Sequence, residues 1–265
     1  MTTPIGFLGV GVLSTAMIRG IRQSWPQRAI HLSPRSEAAS RALAEADPLI
    51  TRHDSNAAVV AASDIVFLAM LPPQLDAAVR GLPFRAGQIV VSCIASTPLA
   101  DIQALVAPAT ACRAIPLPTM ARREGPILLY AIPPAVRTLL EGQGDLIEAA
   151  DEAEFGAYMA GSIVMSTYFR LQLALIAGLE GRGVPRAGAE AYVTSFLRAQ
   201  AQTSAQTDPA HLPSLVTEHE TPGGLNERVR RTLEQRGWFD EVAVAVSATM
   251  KLRREDLTVI DAAAS

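Results

Sequence analysis

The chain is short of several residue types that chemistry commonly uses. Of its 23 basic residues only one, Lys251, is a lysine. Schiff-base catalysis therefore has no donor other than Lys251. There are two cysteines, Cys93 and Cys112, far apart and without a CxxC partner. They read as small buried side chains, not as a redox pair or half a zinc site. Four histidines, His31, His53, His211 and His219, are scattered with no pair at ligand spacing, so no metal site is expected. The net charge of −3 is spread without long runs, which leaves no broad basic face for nucleic acid. No uninterrupted apolar run reaches about 18 residues, so no membrane span is expected. The first residues lack a basic segment and a cleavage site, which gives a cytoplasmic expectation.

What is present is a globular composition, 49% apolar and 18% charged over 265 residues. That length supports one large domain or two modest ones. Short apolar runs read as strands at Pro4–Val10, Ala29–Ser33, Asp64–Met70, Gln88–Ile94, Ala111–Leu117 and Gly125–Ile132. A short seventh is expected at Asp145–Ala149, and helical segments lie between several of them. Ser36 is placed as the N-cap of the second helix. This alternation predicts an α/β fold, a Rossmann-like doubly wound, mostly parallel sheet with helices on both faces. From Asp151 onward no strand is expected. The spacing predicts one long apolar helix over Glu154–Arg182, then helices over Gly188–Thr203, Asn226–Gln235 and Phe239–Arg254. Two domains follow, a nucleotide-binding domain over 1–150 and an all-helical domain over 151–265 whose apolar stripes call for burial against a second subunit.

The stretch "IGFLGVGVLSTAMIRGI" carries Gly9 and Gly11 between the first strand and the first helix, with Ser14 where a dinucleotide loop usually has a third glycine. That context is the one the fingerprint requires. Gly9 permits the tight turn, Gly11 lets a pyrophosphate approach the backbone, and the amides of Val12 and Leu13 open the helix. An NAD site normally ends the second strand on an acidic residue that holds the ribose 2′-hydroxyl. Here the strand runs into "HLSPRSE", so Ser33, Arg35 and Ser36 are candidates to hold a 2′-phosphate, with Arg35 supplying the charge. The cofactor expected is NADP(H).

These segments, with "DSNAAVVAASDIVFLAMLPPQ", "VVSCIAST", "RAIPLPTMARREG" and "ETPGGLNERVRRTLEQRG", make the chain resemble a pyrroline-5-carboxylate reductase along nearly its whole length. The resemblance implies a Rossmann domain, a helical dimerisation domain and NAD(P)H-dependent reduction of a cyclic imine to proline. It implies that Asn56 approaches the adenosine side of NADP and that Ala69, Met70 and Leu71 lie over the cofactor. It also implies a substrate site at Thr221, Gly223, Gly224, Leu225 and Asn226, with the small-molecule partner a cyclic imino acid.

Three departures stand in the substrate half. Leu117 replaces the asparagine of the family's Pro-Asn-Thr-Pro. "IVMSTY" keeps only Tyr168 of Gly-Ser-Gly-Pro-Ala-Tyr. Leu225 and Asn226 replace two threonines at the helix start. We expect Asn226 to take the orienting role of the second threonine, Thr221 to cap the helix, and the Pro222-Gly223-Gly224 amides to cradle a carboxylate. Hydroxyacid dehydrogenases of similar layout use a lysine on the long helix, and none lies over Glu154–Arg182. Two other readings remain open: another NADP oxidoreductase on this scaffold, such as one exchanging hydride with a deazaflavin, and a non-catalytic NADP-binding dimer.

Overall fold

The computed structural model describes residues 3–251 and divides the chain into two compact units, Met1–Met159 and Ala160–Ser265. In the first, β1 (Ile5–Leu8), α1 (Val12–Ser24), β2 (Ile30–Leu32), α2 (Glu37–Ala46), β3 (Ile50–Arg52), α3 (Asn56–Ala62), β4 (Ile65–Leu68), α4 (Leu75–Val79) and β5 (Ile89–Ser92) follow one another. Then come α5 (Leu99–Val106), β6 (Thr110–Pro116), β7 (Pro126–Tyr130), α6 (Pro134–Leu140), β8 (Asp145–Glu148) and α7 (Glu152–Gly161).

The eight strands form one sheet in the order β3-β2-β1-β4-β5-β6-β7-β8. Every neighbouring pair is parallel except β6 and β7, in which Arg113 faces Tyr130 and Pro116 faces Ile127. The expected alternation is there, but the sheet has one strand more than the periodicity shows. β3 is only Ile-Thr-Arg, too short to display a period, and exists because it pairs with β2 at the sheet edge.

Both faces of the sheet are buried, which is why its central strands are apolar throughout. Ile5 and Phe7 of β1 and Ile65 and Phe67 of β4 face one cluster, together with Met17, Ile18 and Ile21 of α1. Leu8, Val66 and Leu68 face the other, with Val59 and Val60 of α3 and Ile102 of α5. The rings of Phe7 and Phe67, directly opposite in register, stack at 4.9 Å. Both cysteines are free and buried. Burial pushes the Cys112 thiol up to about 12 and Cys93 higher still, so neither behaves as a reactive thiolate.

The second unit is helical: α8 (Met165–Glu180), α9 (Arg186–Gln206), α10 (Leu215–Glu218), α11 (Leu225–Gln235) and α12 (Trp238–Lys251). Residues 252–254 of the last expected helix lie outside the described residues. The long helix is interrupted, with a tighter turn at Ser162–Val164 between α7 and α8. α8 and α9 pack through Ile176, Ala189 and Val193, and Gln172 Nε2 donates to Thr194 Oγ1 at 3.0 Å. Tyr168, Phe169, Leu173, Tyr192, Phe196 and Phe239 remain exposed. Among the described residues one helical stretch, Glu152–Glu180, is long and apolar enough to cross a membrane by length and composition alone, with mean hydropathy 1.4 over its most apolar 18 residues. Its uninterrupted apolar runs stay short, because Ser162, Ser166, Thr167, Arg170 and Gln172 break them.

Candidate cofactor and substrate sites

Strand order reverses between β1 and β4, and their carboxyl ends open the crevice in which such sheets bind ligands. The loop after β1 lies there, fixed from three directions. Gly9 has φ +92°, and a Cβ on it would stand 2.4 Å from the Ala69 carbonyl oxygen as the chain leaves β4. Its N–H donates to Ser33 Oγ at 3.0 Å, and its carbonyl accepts from Ser14 Oγ at 2.6 Å. Ser14 and Ser33 are both fully buried. Ser14 thus stands in for the third glycine as a small residue whose hydroxyl is satisfied on the loop itself. Ser33 braces the same loop, so its hydroxyl is committed to Gly9 and does not stand at the surface.

Gly11 differs in kind from Gly9. A Cβ there would meet nothing within 4 Å, so no packing in the protein requires a glycine. The open space belongs to the crevice. Gly11 is also the N-cap of α1, with no side-chain cap and no acidic residue in the first turn. The first amide of the helix to find an acceptor is that of Thr15, on the Gly11 carbonyl. The N–H groups of Val12, Leu13 and Ser14 therefore present the positive end of a 13-residue helix. Leu13 packs its side chain on the core and offers only its backbone. Such a helix start suits an anion, and the residues present fit the pyrophosphate of a dinucleotide.

Val10, Gly11, Val12, Thr15 and Arg19 share a cleft of about 680 Å³ with Ser36 and Glu37 at the start of α2. Ser36 occupies the N-cap of α2, as expected, but in the left-handed region at φ 61°, and its hydroxyl makes no cap bond. Arg52 holds this loop, donating to the Pro34 carbonyl at 3.2 Å and to Ser40 Oγ at 3.1 Å. Arg35 is exposed and has no hydrogen bond or ion pair among the described residues. A charge left free beside a strained, braced turn suits a phosphate ester. Asn56 begins α3, and its Nδ2 donates to the Ala78 carbonyl at 2.9 Å, tying α3 to α4. Of the residues after β4, Ala69 and Met70 pack on the core and Leu71 is exposed.

Sequence reading missed two polar pairings in this unit. Arg113, on the apolar strand β6, is 4% exposed and is held by Glu152 Oε1 at 2.8 Å, the Ala95 carbonyl at 2.6 Å and the Ile94 carbonyl at 3.3 Å. Its guanidinium lies 4.1 Å over the Phe155 ring. Burial draws its pKa down, and Glu152 opposes that. The arginine thereby pins the loop leaving β5, on the same edge of the sheet as the glycine loop. A charge inside "TACRAIP" was the available signal. His31 and His53 also meet, Nδ1 to Nε2 at 3.0 Å, because β2 and β3 are neighbours. Burial and the neighbouring ring lower the His31 pKa. Among the described residues no group of three His, Cys, Asp or Glu side chains is arranged to hold a metal.

In the second unit the turn before α11 corrects one expectation. Gly224, not Thr221, is the N-cap, without a side-chain bond. Thr221 contributes its carbonyl, which accepts from the Gly224 N–H at 2.7 Å. The glycine at the cap needs no side chain, and the tight 221–224 turn satisfies the backbone instead. Asn226 Nδ2 donates to the His219 carbonyl at 2.8 Å, which leaves Oδ1 as the free end of the amide. The Gly223 N–H, expected to await a carboxylate, donates to Glu227 Oε2 at 2.6 Å.

Residues 4–96 match the family model described as NADP oxidoreductase coenzyme F420-dependent. A pyrroline-5-carboxylate reductase of Pseudomonas aeruginosa is 30% identical over 271 residues, covering 96% of this chain and 97% of that protein. Among solved structures, the 1-pyrroline-5-carboxylate reductase of Streptococcus pyogenes superposes with TM-score 0.81 at 22% identity, covering 94% of this chain and 97% of that one. The Plasmodium falciparum pyrroline carboxylate reductase with NADP bound superposes with TM-score 0.80 at 17% identity, covering 94% and 96%.

Proposed function

The chain belongs to the pyrroline-5-carboxylate reductase family, and from that membership we propose that it reduces 1-pyrroline-5-carboxylate to proline with NADPH. The observation that carries this reading is the 30% identity running through both units, so that the relative shares the helical half as well as the nucleotide-binding half. The match to the F420-dependent model ends at residue 96, inside the nucleotide-binding unit, and so speaks for the cofactor and not for a deazaflavin substrate.

NADPH, when bound, supplies a hydride from C4 of its nicotinamide. The protein's part is to bind and orient. Gly9 would hold the tight turn, while Gly11 and the open amides of Val12 and Leu13 would take the pyrophosphate. Arg35 and Ser36 would take the 2′-phosphate, Ser33 braces the glycine loop through Gly9, and Asn56, Ala69, Met70 and Leu71 would border the rest. An imine bound in its protonated form would need no proton from the chain, because its own N–H remains on the amine once the carbon is reduced. A protonated imine presents an N–H donor. The anchored amide of Asn226 offers an acceptor, Oδ1, which has the right polarity to orient it. Thr221, Gly223, Gly224 and Leu225 shape the turn around it.

The uncovered apolar side chains of α8 and α9 support a homodimer built through the helical unit. This gives a use to the apolar helix other than a membrane, and with two free buried cysteines it supports a cytoplasmic location.

The test is NADPH oxidation at 340 nm with 1-pyrroline-5-carboxylate, wild type beside Asn226→Ala. Turnover by the wild type and a loss of roughly 10- to 100-fold in kcat/KM for the variant are expected. Unchanged turnover in the variant removes Asn226 from the mechanism, and no turnover by the wild type removes the reading. Arg35→Ser addresses the cofactor. The preference for NADPH over NADH, measured as the ratio of kcat/KM values, should fall by roughly 10- to 100-fold. An unaltered ratio means that another group reads the 2′-phosphate.

A further inference from the structure

We propose that Glu227 sets the substrate class of this site, by holding with its own carboxylate the backbone position that the carboxylate of an imino acid needs. The inference rests on the reductase reading above and concerns which imines the enzyme prefers.

The donors of the turn can be counted. The Gly224 N–H is spent on the Thr221 carbonyl, the Asn226 side-chain N–H on the His219 carbonyl, and the Gly223 N–H on Glu227 Oε2 at 2.6 Å. The other oxygen of Glu227 accepts from Arg231 at 3.2 Å, one helical turn on. Arg230, the next cation on that face, is taken by Glu220 and Glu234. What stays open is the Thr221 N–H and hydroxyl, the second side-chain N–H of Asn226, and the first-turn backbone of α11, where the N–H groups of Leu225, Asn226 and Glu227 precede the first helical bond, from Arg228 to Gly224.

A substrate carboxylate therefore has two routes. It displaces Glu227 from Gly223, or it settles on the open donors of the turn beside a charge of its own sign. Both weaken its binding. A cyclic imine without a carboxylate meets neither penalty. Glu227 thus favours neutral imines over imino acids at one turn of one helix.

A plain capping role makes a different forecast. If Glu227 only ties down the start of α11, removing it loosens the turn and harms every substrate alike. The experiment compares the full-length wild type, E227Q and E227A at saturating NADPH with 1-pyrroline-5-carboxylate and with 1-pyrroline. E227Q keeps an acceptor for Gly223 and removes the charge, so it stands in if E227A does not fold. The ratio of kcat/KM for the acid over the neutral imine should rise about tenfold in the variants, through a lower KM for the acid. A ratio that stays within about twofold of wild type overturns the proposal. If no form of the enzyme reduces either imine, the reductase reading itself has failed and takes this inference with it. An active enzyme with an unmoved ratio sinks this inference alone.

Discussion

Gly9→Ala is expected to destabilise the nucleotide-binding unit by about 3 kcal/mol or more, through strain and collision together. Gly9 sits at φ +92°, where a side chain is strained whatever the space around it. Its Cβ would also come within 2.4 Å of the Ala69 carbonyl oxygen and 2.9 Å of the Ala69 carbonyl carbon. These are main-chain atoms of the segment leaving β4, one strand over, so no flexible side chain can yield. Relief requires β1 and β4 to part, and they carry the stacked Phe7 and Phe67 at the centre of the core. A loss of this size lowers the melting temperature by roughly 6–12 °C in a chain of this length. Differential scanning calorimetry measures it, and a shift of under about 1 °C would show that the contact is not tight.

Gly11→Ala is the control that separates fold from function. Beyond its own chain neighbours, no atom of the described residues lies within 4 Å of the added methyl, so that variant should melt with the parent while binding NADPH more weakly, as read by fluorescence titration. Undiminished binding would mean that the pyrophosphate does not lie against Gly11.

Arg113→Met should also cost about 3 kcal/mol, at the low end for a broken buried ion pair because Glu152 is partly exposed. The methionine keeps much of the stem and discards the guanidinium. The Ala95 and Ile94 carbonyls then lose their donor, and the face of Phe155 loses its cation. Glu152 is 38% exposed and still accepts from the Leu99 N–H at 2.7 Å, so water and that bond soften its loss. Glu152→Gln should therefore cost less than Arg113→Met. Beyond the melting temperature, hydrogen exchange should quicken at the amides of residues 94–97, where Arg113 pins the exit of β5. Exchange that does not change there would assign Arg113 a role in general packing only.

What could be read along the chain was what depends on near neighbours. A buried parallel strand needs a short apolar run, a helix needs its own spacing, and a tight strand-to-helix turn needs Gly9. Each leaves a mark within about ten residues, so the alternating fold, the glycine loop and the position of Ser36 at the start of α2 were legible. β3 was not, because three residues hold no period and the strand is created by its partner. The reversal of β7 was not, because direction within a sheet is settled by which strand it meets.

The site divides in the same way. Sequence determined that a glycine turn and an uncapped helix start would follow β1, and that Arg35 would lie in the loop after β2. Tertiary structure decided that Ser33 and Ser14 clamp the loop, that His31 meets His53, and that Arg113 ties down the exit of β5. It also showed the Gly223 amide already taken by Glu227, four positions along the chain. A motif records which groups are available. Whether a donor is free or spent depends on the acceptor that folding brings to it, and hydrogen bonds act over about 3 Å in space however far apart the residues lie in sequence.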